Sequence, residues 1–492
     1  MNRELIAAVD LGSNSFRLQV GRVVGNQIFP LDGIKEPVRL AAGLTPLKLL
    51  DDASQQRGLA ALARFGERLR GFAPDAVRAV ATNTLRVAKN APEFLSLGEA
   101  ALGFPIEVIA GREEARLIYL GVAHTLPNPQ QQQLVVDIGG GSTEFIIGRA
   151  IQPIALESLY MGCVSYTLRF FPDGRVDKRA MRDAELAARR ELQTIVAPFR
   201  EIGWEEAVGS SGTAKAIVDL IEMNGFARQG ITRDGLDKVR EALIDAGGTA
   251  RLRLAGLRAD RLPVLPGGVA IMSAVFKELG LKRMTFSEGA LRLGVLYDLL
   301  GRYHHDDLRE ATVGLFMERY QVDRRHAARV AQTAVKLLQQ LVPATVGTEQ
   351  PDGQFLVWAA RLHEIGISIA HSSYHKHSAY ILANADMPGF SKRDQQRLAR
   401  IVLAHRGKLE RAQPLQGEAV DWTLIFCLRI AALMHRARDG APPVPFSVAF
   451  TPRGFEINLD GSKLADSPLT AALLDDEAAQ WAGVGGELKI RR

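Results

Sequence analysis

Apolar and polar positions follow two different rhythms along this 492-residue chain. In its N-terminal part, short alternating runs such as IAAVDL, FRLQVGR and TEFIIGR read as strands, and they are interleaved with stretches of helical spacing. That spacing predicts helices over 52–71, 84–100, 112–124, 177–201, 233–247 and 267–279. From residue 306 the pattern becomes helical only, over 306–320, 323–342, 353–366, 376–383, 391–405 and 420–436. The final stretches, PFSVAFTPRGFEINLD and WAGVGGELKIRR, return to alternation and predict a small β-containing module. LPNPQQQQ, at 126–133, reads as a surface loop.

One whole strand-turn-strand unit is written twice. IAAVDLGSNSFRLQVGR recurs 127 residues later as QLVVDIGGGSTEFIIGR, which lays Asp10 on Asp137, Gly12 on Gly139, Ser15 on Ser142 and Gly21-Arg22 on Gly148-Arg149. Two copies joined by helices predict an α/β architecture of two related lobes with a cleft between them, over 1–122 and 123–304. An all-helical domain follows over 305–440, then a small α+β module over 441–492.

Composition narrows the class. Hydrophobic residues make up 47% and charged residues 24%, which excludes global disorder and fibrous repeats. The start MNRELIAAVD carries charges where a signal peptide needs an apolar run, and the two cysteines, Cys163 and Cys427, lack metal-ligand spacing. A soluble cytoplasmic protein without integral membrane contact is therefore expected. The net charge of +6 is too small to announce a nucleic-acid partner, yet residues 301–440 hold +5 of it and nine of the ten histidines.

The two turns carry the candidate chemistry. Small residues let backbone amides converge on a phosphate, and hydroxyls add donors. The first turn offers Gly12, Ser13, Asn14 and Ser15; the second offers Gly139, Gly140, Gly141, Ser142 and Thr143. An Asp at each strand end suits a phosphate only through a cation, so Asp10 and Asp137, with Glu144, predict Mg²⁺. A third such loop, Gly209-Ser210-Ser211-Gly212-Thr213, opens a helix and is a further phosphate-binding candidate. No Walker A loop occurs. In GREEAR, residues 111–116, either Glu113 or Glu114 fits a helix cap or a general base for attack on phosphorus, and Arg86 in TNTLR suits a phosphate oxygen. This reading requires Asp10 and Asp137 to share one cavity.

Taken together, AAVDLGSNSFR, TNTLR, GREEARLIYLGV, VVDIGGGSTEF, MGCVS, GSSGTAKA, FSEGALRLGVLYD, LHEIG and HKHSAYIL resemble the exopolyphosphatase and guanosine pentaphosphate phosphatase (Ppx/GppA) family. The resemblance implies actin, sugar kinase and Hsp70-like (ribonuclease H-like) lobes. It makes Glu114 the catalytic base, assigns Asp137 and Glu144 to the metal and reacting phosphate, and has Ser13, Asn14, Ser15, Gly139, Gly140, Gly141 and Ser142 hold phosphates with Arg86 on the polyanion. It further implies Mg²⁺, K⁺ as activator and a homodimer. The long form looks most like bacterial exopolyphosphatases, so processive release of orthophosphate from inorganic polyphosphate is the main expectation, and conversion of pppGpp to ppGpp the alternative. A sugar kinase or Hsp70-like ATPase would share the turns, but GREEAR is better explained by a hydrolase. Arg17, after the first turn, departs from what the family often has.

The helical domain resembles the HD phosphohydrolase superfamily, with its defining His-Asp pair replaced by His363-Glu364. The replacement argues against an independent metal centre. His371, His375, His377 and His405 are read instead as lining a basic passage for polyphosphate or as hydrogen-bonding internally.

Overall fold

The computed structural model describes residues 4–25, 27–126, 128, 130–303, 307–343, 351–412, 420–438, 440, 444–459 and 467–491. The first residue of the helix expected from 306, and positions 127 and 129 of the expected loop, lie outside them. Two compact units divide between Asp307 and Leu308.

The N-terminal unit begins with β1 (Leu5–Leu11), β2 (Phe16–Val24), β3 (Gln27–Glu36), α1 (Asp52–Arg68), β4 (Val77–Ala81), α2 (Asn83–Val87), α3 (Ala91–Leu102), β5 (Ile106–Val108) and α4 (Gly111–Ala123). Its five strands order as β3-β2-β1-β4-β5. The second half repeats the plan with β6 (Gln133–Ile138), β7 (Thr143–Arg149), β8 (Gln152–Leu159), α5 (Cys163–Phe170), α6 (Lys178–Ile202), β9 (Glu206–Ser210), α7 (Ser211–Met223), β10 (Ile231–Thr232), α8 (Arg233–Asp245), α9 (Leu265–Leu279), β11 (Arg283–Phe286) and α10 (Leu291–Tyr303). Its sheet orders as β10-β11-β9-β6-β7-β8. The duplication extends to detail. Both hairpins slip register at the equivalent place, between Val20 and Gly21 and between Ile147 and Gly148.

Three apolar layers hold this unit. Outside the first sheet, α1 and α3 bury Leu62, Phe65 and Phe94; outside the second, α6 and α9 bury Leu192, Phe199 and Phe276. α9 belongs to an apolar helical stretch, Leu262–Leu279, with mean hydropathy 1.4, and 72% of that stretch is buried, as in a core helix. Between the sheets, α4 and α10 fill the space with Leu117, Tyr119, Val122, Val295 and Leu296, against Ile6, Ala8 and Val80 on one side and Val135, Ile146 and Val208 on the other. α10 thus follows the second lobe in sequence yet packs on β1, so the 123–304 segment holds a helix shared by both lobes. Buried ions lock this layer. Arg116 bridges Glu113 and Asp298, and Arg78 bridges Glu107 and the same Asp298.

Some elements differ from the sequence reading. The single helix over 84–100 is two, because Ala88–Asn90 breaks it and Pro92 sits in the first turn of α3, where its missing N–H costs nothing. α5 and α10 were absent from the reading, and the helix read as opening at Ala214, α7, starts at Ser211.

The C-terminal unit contains α11 (Leu308–Arg319), α12 (Arg324–Leu341), α13 (Pro351–Leu362), α14 (Tyr374–Asn384), α15 (Lys392–Ala404), α16 (Trp422–Met434), β12 (Phe446–Thr451), β13 (Gly454–Leu459), α17 (Pro468–Gly483) and β14 (Glu487–Arg491). α17 is the helix of the expected α+β module; its position was not readable because its apolar residues do not line one face. The strands and α17 share one core with the helices: Phe426 stacks on Phe455 at 4.0 Å, Trp481 meets both edge-on, and Arg429 pairs with buried Glu477.

Candidate active site

β1 and β6 are central strands of the two sheets, and each carries its aspartate one residue before its end. Asp10 pairs in register with Arg17 across the first hairpin, and Asp137 with Glu144 across the second. On the other side, the parallel neighbour of Asp10 is Val80, whereas that of Asp137 is Ser210. The Ser210 hydroxyl donates to Asp137 Oδ2 at 2.7 Å, while Asp10 Oδ1 is buried without a hydrogen-bond partner.

The two turns meet. A Cβ on Gly140 would lie 2.9 Å from Ser13 Cβ, and one on Gly141 would lie 2.4 Å from Asn83 Oδ1, so glycine is what lets the second turn approach the first lobe. The carbonyls of Gly139 and Gly140 accept from the amides of Cys163 and Val164, which ties the turn by its carbonyl edge to the start of α5. Between the turns lies a cavity of about 360 Å³ whose walls include Asp10, Asp137 and Glu114. The two aspartates therefore share one cavity, as the sequence reading requires.

Burial shapes the carboxylates. It pushes Glu114 up to about 7; Arg86, 3.2 Å away, opposes this, and Asp10 and Asp137 add to it. Asp137 rises to about 6, chiefly by burial and despite the Ser210 hydrogen bond, and Asp10 rises by burial against the pull of Arg292 and Arg17. A carboxyl balanced near neutrality in a cavity is suited to accept a proton at physiological pH.

Six cations line the same cavity: Arg17, Lys35, Lys215, Arg258, Arg261 and Arg292. Burial and the neighbouring Arg292 lower Arg17 to about 10, so it stays charged at neutral pH. Arg261 lies flat on Gly212, where a Cβ would clash with its guanidinium at 2.1 Å. Lys35 of β3 reaches across the cleft to Asp260.

The sequence candidates divide into wall and support. Gly12, Ser13, Asn14, Ser15, Gly139, Gly140, Ser142, Ser211 and Gly212 line the cavity. Arg86 stands beside the wall: its Nη1 donates to the Ile109 carbonyl at 2.8 Å and to Glu114 at 3.2 Å, which orients that carboxyl. Glu144 also stands behind the wall, 1% exposed, accepting from Ser158 at 2.8 Å and driven well above its ordinary range by burial and then by Glu114. Its assignment to the metal is corrected accordingly. Gly141 packs on Asn83, Gly209 packs on Met284, Ser210 holds Asp137, and Thr213 donates to the Ile138 carbonyl at 3.0 Å. Missed by the sequence reading were Lys35, Lys215, Arg258, Arg261 and Arg292. Arg292 lies in the FSEGALRLGVLYD motif, which offered a signal; the segment around Arg258 and Arg261 offered none.

Of the histidines read as lining a basic passage or bonding internally, His405 bonds internally, to the Val402 carbonyl and the Tyr374 hydroxyl. His371 is exposed and His377 half-buried, but His375 and His405 are buried, and burial holds His405 well below the usual imidazole range and hence neutral.

Paired lobes, Asp-ended turns and a near-neutral glutamate in a cationic cavity define a phosphoanhydride hydrolase on an actin-like fold. The chain belongs to the Ppx/GppA phosphatase family. A sequence model of that family matches residues 20–303, and one for Ppx/GppA phosphatase domain III matches 308–478. A protein of Aeromonas hydrophila named guanosine-5'-triphosphate,3'-diphosphate pyrophosphatase is 40% identical over 494 residues, covering 99% of both chains. A Vibrio cholerae protein of the same name is 37% identical over 489 residues, covering 99% of this chain and 98% of its own. The crystal structure of the Aquifex aeolicus Ppx/GppA family member matches with TM-score 0.52 and 25% identity, over 61% of this chain and 99% of that one. An exopolyphosphatase structure from Cytophaga hutchinsonii, 24% identical with TM-score 0.55 over 60% of this chain and 97% of its own, shows the shared fold.

These relatives overturn the exopolyphosphatase expectation. It rested on the long form of the chain, yet relatives matching from end to end carry the pyrophosphatase name, so length does not single out polyphosphate.

Proposed function

We propose that this chain hydrolyses the terminal phosphoanhydride of guanosine 5'-triphosphate 3'-diphosphate (pppGpp), yielding ppGpp and orthophosphate. The observation that carries the substrate is the end-to-end kinship with proteins named for that compound. The geometry supports it, since six cations against Asp10, Glu114, Asp137 and Glu288 suit a ligand with phosphates at both ends of its ribose.

Glu114 takes the proton of an attacking water as the new O–P bond forms and the bond to the bridging oxygen breaks. Arg86 orients Glu114, and the turn amides with Arg17 and Arg292 hold the phosphates. The residues present fit Mg²⁺, which keeps several waters and takes one or two carboxylates plus phosphate oxygens: the orphaned Asp10 Oδ1 and the free side of Asp137 would hold it. When bound, it supplies charge neutralisation to the phosphoryl group.

The test is purified chain with Mg²⁺ and, separately, pppGpp, ppGpp, GTP, ATP and inorganic polyphosphate, followed by anion-exchange chromatography and orthophosphate release. One orthophosphate per pppGpp, with ppGpp accumulating, is expected. Faster turnover of GTP, ATP or polyphosphate would remove the assignment.

A further inference from the structure

The C-terminal unit holds buried side chains that the proposed reaction does not use. His326 lies in the first turn of α12, and His363 and Glu364 immediately follow α13. Their relative exposures are 3%, 2% and 8%. Among the described residues this is the one group of histidine, cysteine and acidic side chains that offers three ligand atoms within 4.8 Å of one another.

The local bonding is that of ligands rather than of a hydrogen-bonded core cluster. His363 Nδ1 donates to the Ala360 carbonyl at 2.7 Å, which fixes the tautomer and leaves the Nε2 lone pair free toward Glu364. Metal-bound histidines are oriented in this way, through the nitrogen that does not bind. His363 Nε2 and His326 Nε2 each stand 3.8 Å from the same oxygen, Glu364 Oε1. That is too long for a hydrogen bond and close to the roughly 3.4 Å separating two ligands bound about 2.1 Å from one tetrahedral ion. His326 Nδ1 is buried without a hydrogen-bond partner, a cost that packing alone gives no reason to bear.

The carboxylate charge is met at present from the surface. Arg438, 43% exposed, donates to Glu364 Oε1 from a backbone held at φ 58°, a conformation unfavourable for a residue with a Cβ. A guanidinium reaching inward to this oxygen occupies the place of a cation that two imidazoles and a carboxylate would otherwise share. His405, edge-on to His363 at 5.0 Å, is engaged with the Val402 carbonyl and, at 3.3 Å, the Tyr374 hydroxyl, and so supports the site without joining it.

We propose that His326, His363 and Glu364 bind a divalent transition-metal ion of the zinc class, with Arg438 as the competing cation. Imidazole donors favour zinc and its first-row neighbours over magnesium, and three protein ligands leave a coordination position for water or an anion. The site is built within the C-terminal unit, and it stands whether or not the substrate assigned above is correct. Replacement of Asp by Glu after His363 does not remove the site; it leaves a longer acidic arm.

The experiment uses the tag-free full chain, stripped with chelator and held in excess Mg²⁺ so that the N-terminal carboxylates are occupied. Titration with Co²⁺ is followed by visible absorption, and Zn²⁺ binding by calorimetry. One equivalent of Co²⁺ with ligand-field bands is expected. H326A and H363A should each weaken binding by more than the roughly 10–100-fold typical of supporting residues. R438Q, a surface change that leaves the helices intact, should tighten Zn²⁺ binding several-fold. Absence of a bound equivalent in the wild type overturns the proposal, as does affinity unchanged in R438Q or in a folded H326A protein.

Discussion

The two turns of the N-terminal unit share one backbone and differ in how their charges are satisfied. In the second lobe the aspartate is held by Ser210, and the residue paired with it across the hairpin, Glu144, is a buried acid bonded to Ser158. In the first lobe the equivalent positions are Val80 and Arg17, so Asp10 keeps an orphaned oxygen beside a cation. Duplication supplied two equal frames. One has been closed by internal hydrogen bonds, and the other left open, as a ligand-binding face must be. Glu114 lies where both frames act on it, since Asp10 and Asp137 each raise it.

The largest expected effect follows from that position. E114Q removes the proton acceptor but retains the shape, so kcat for pppGpp should fall by about 10³ while KM stays within a few-fold. Retention of wild-type kcat would show that the near-neutral carboxyl between the frames is not the base. Next comes the open frame itself. R17A removes a charged donor worth about 1.5–3 kcal/mol, so KM should rise roughly 10- to 100-fold with a smaller change in kcat. If R17A were silent, the contrast between the lobes would be one of structure without consequence for binding.

How much of this was legible in the sequence depended on whether a residue's meaning is local. The twin turns were readable because they are contiguous and repeated, and Glu114 because it opens a helix after a strand. The pairing of Arg86 with Glu114 was not legible because the two lie on different helices, and only folding brings them together. Lys35, Arg258 and Arg261 come from an edge strand and an irregular segment, where no periodicity marks a functional side chain. The His326–His363–Glu364 group was missed because the start of α12 and the end of α13 meet only through helix packing, and His326 carries no motif of its own. The substrate was misjudged for another reason: chain length was taken as a sign of substrate, and turns shared by a whole family cannot distinguish a polymer end from a nucleotide.

Arg86 supplies a further test. It opposes the rise of Glu114, so R86Q should raise that group further. A base must be deprotonated, so the acid limb of the kcat/KM profile should move upward by about one pH unit, with rate recovering in alkali. A limb that stays in place would mean that Arg86 contributes nothing to the base. Stability gives an independent reading of the same charges. Glu114 and Asp137 lie above their ordinary values of 4.5 and 3.8, so the folded chain binds more protons than the unfolded one and loses stability as pH rises through about 6 to 7. Above that range a divalent cation relieves the repulsion, so Mg²⁺ should raise Tm more at pH 8 than at pH 5. Each kcal/mol is worth about 2–4 °C in a chain of 150–250 residues and less in a larger one. D10N should remove most of the gain, and a pH-independent shift would count against Mg²⁺ at these carboxylates.

The smallest expected effect concerns what joins the two frames at the mouth of the cleft. Lys35 pairs with Asp260 across it, and their side chains are 30% and 33% exposed. Ion pairs this wet are worth about 0.2–1 kcal/mol, so K35A should change kcat/KM at most about fivefold through the pair alone. Lys35 also faces the cavity, whereas Asp260 is not on its wall, which allows the two roles to be separated. D260N frees the lysine for an anionic ligand, together with Arg258 and Arg261, which also pair with Asp260 at 3.5 and 3.8 Å, whereas K35A removes the lysine alone. If Lys35 serves mainly as a bridge, K35A should leave KM unchanged. If it serves the substrate, D260N should lower KM and K35A raise it, and raising ionic strength should shrink the difference by screening.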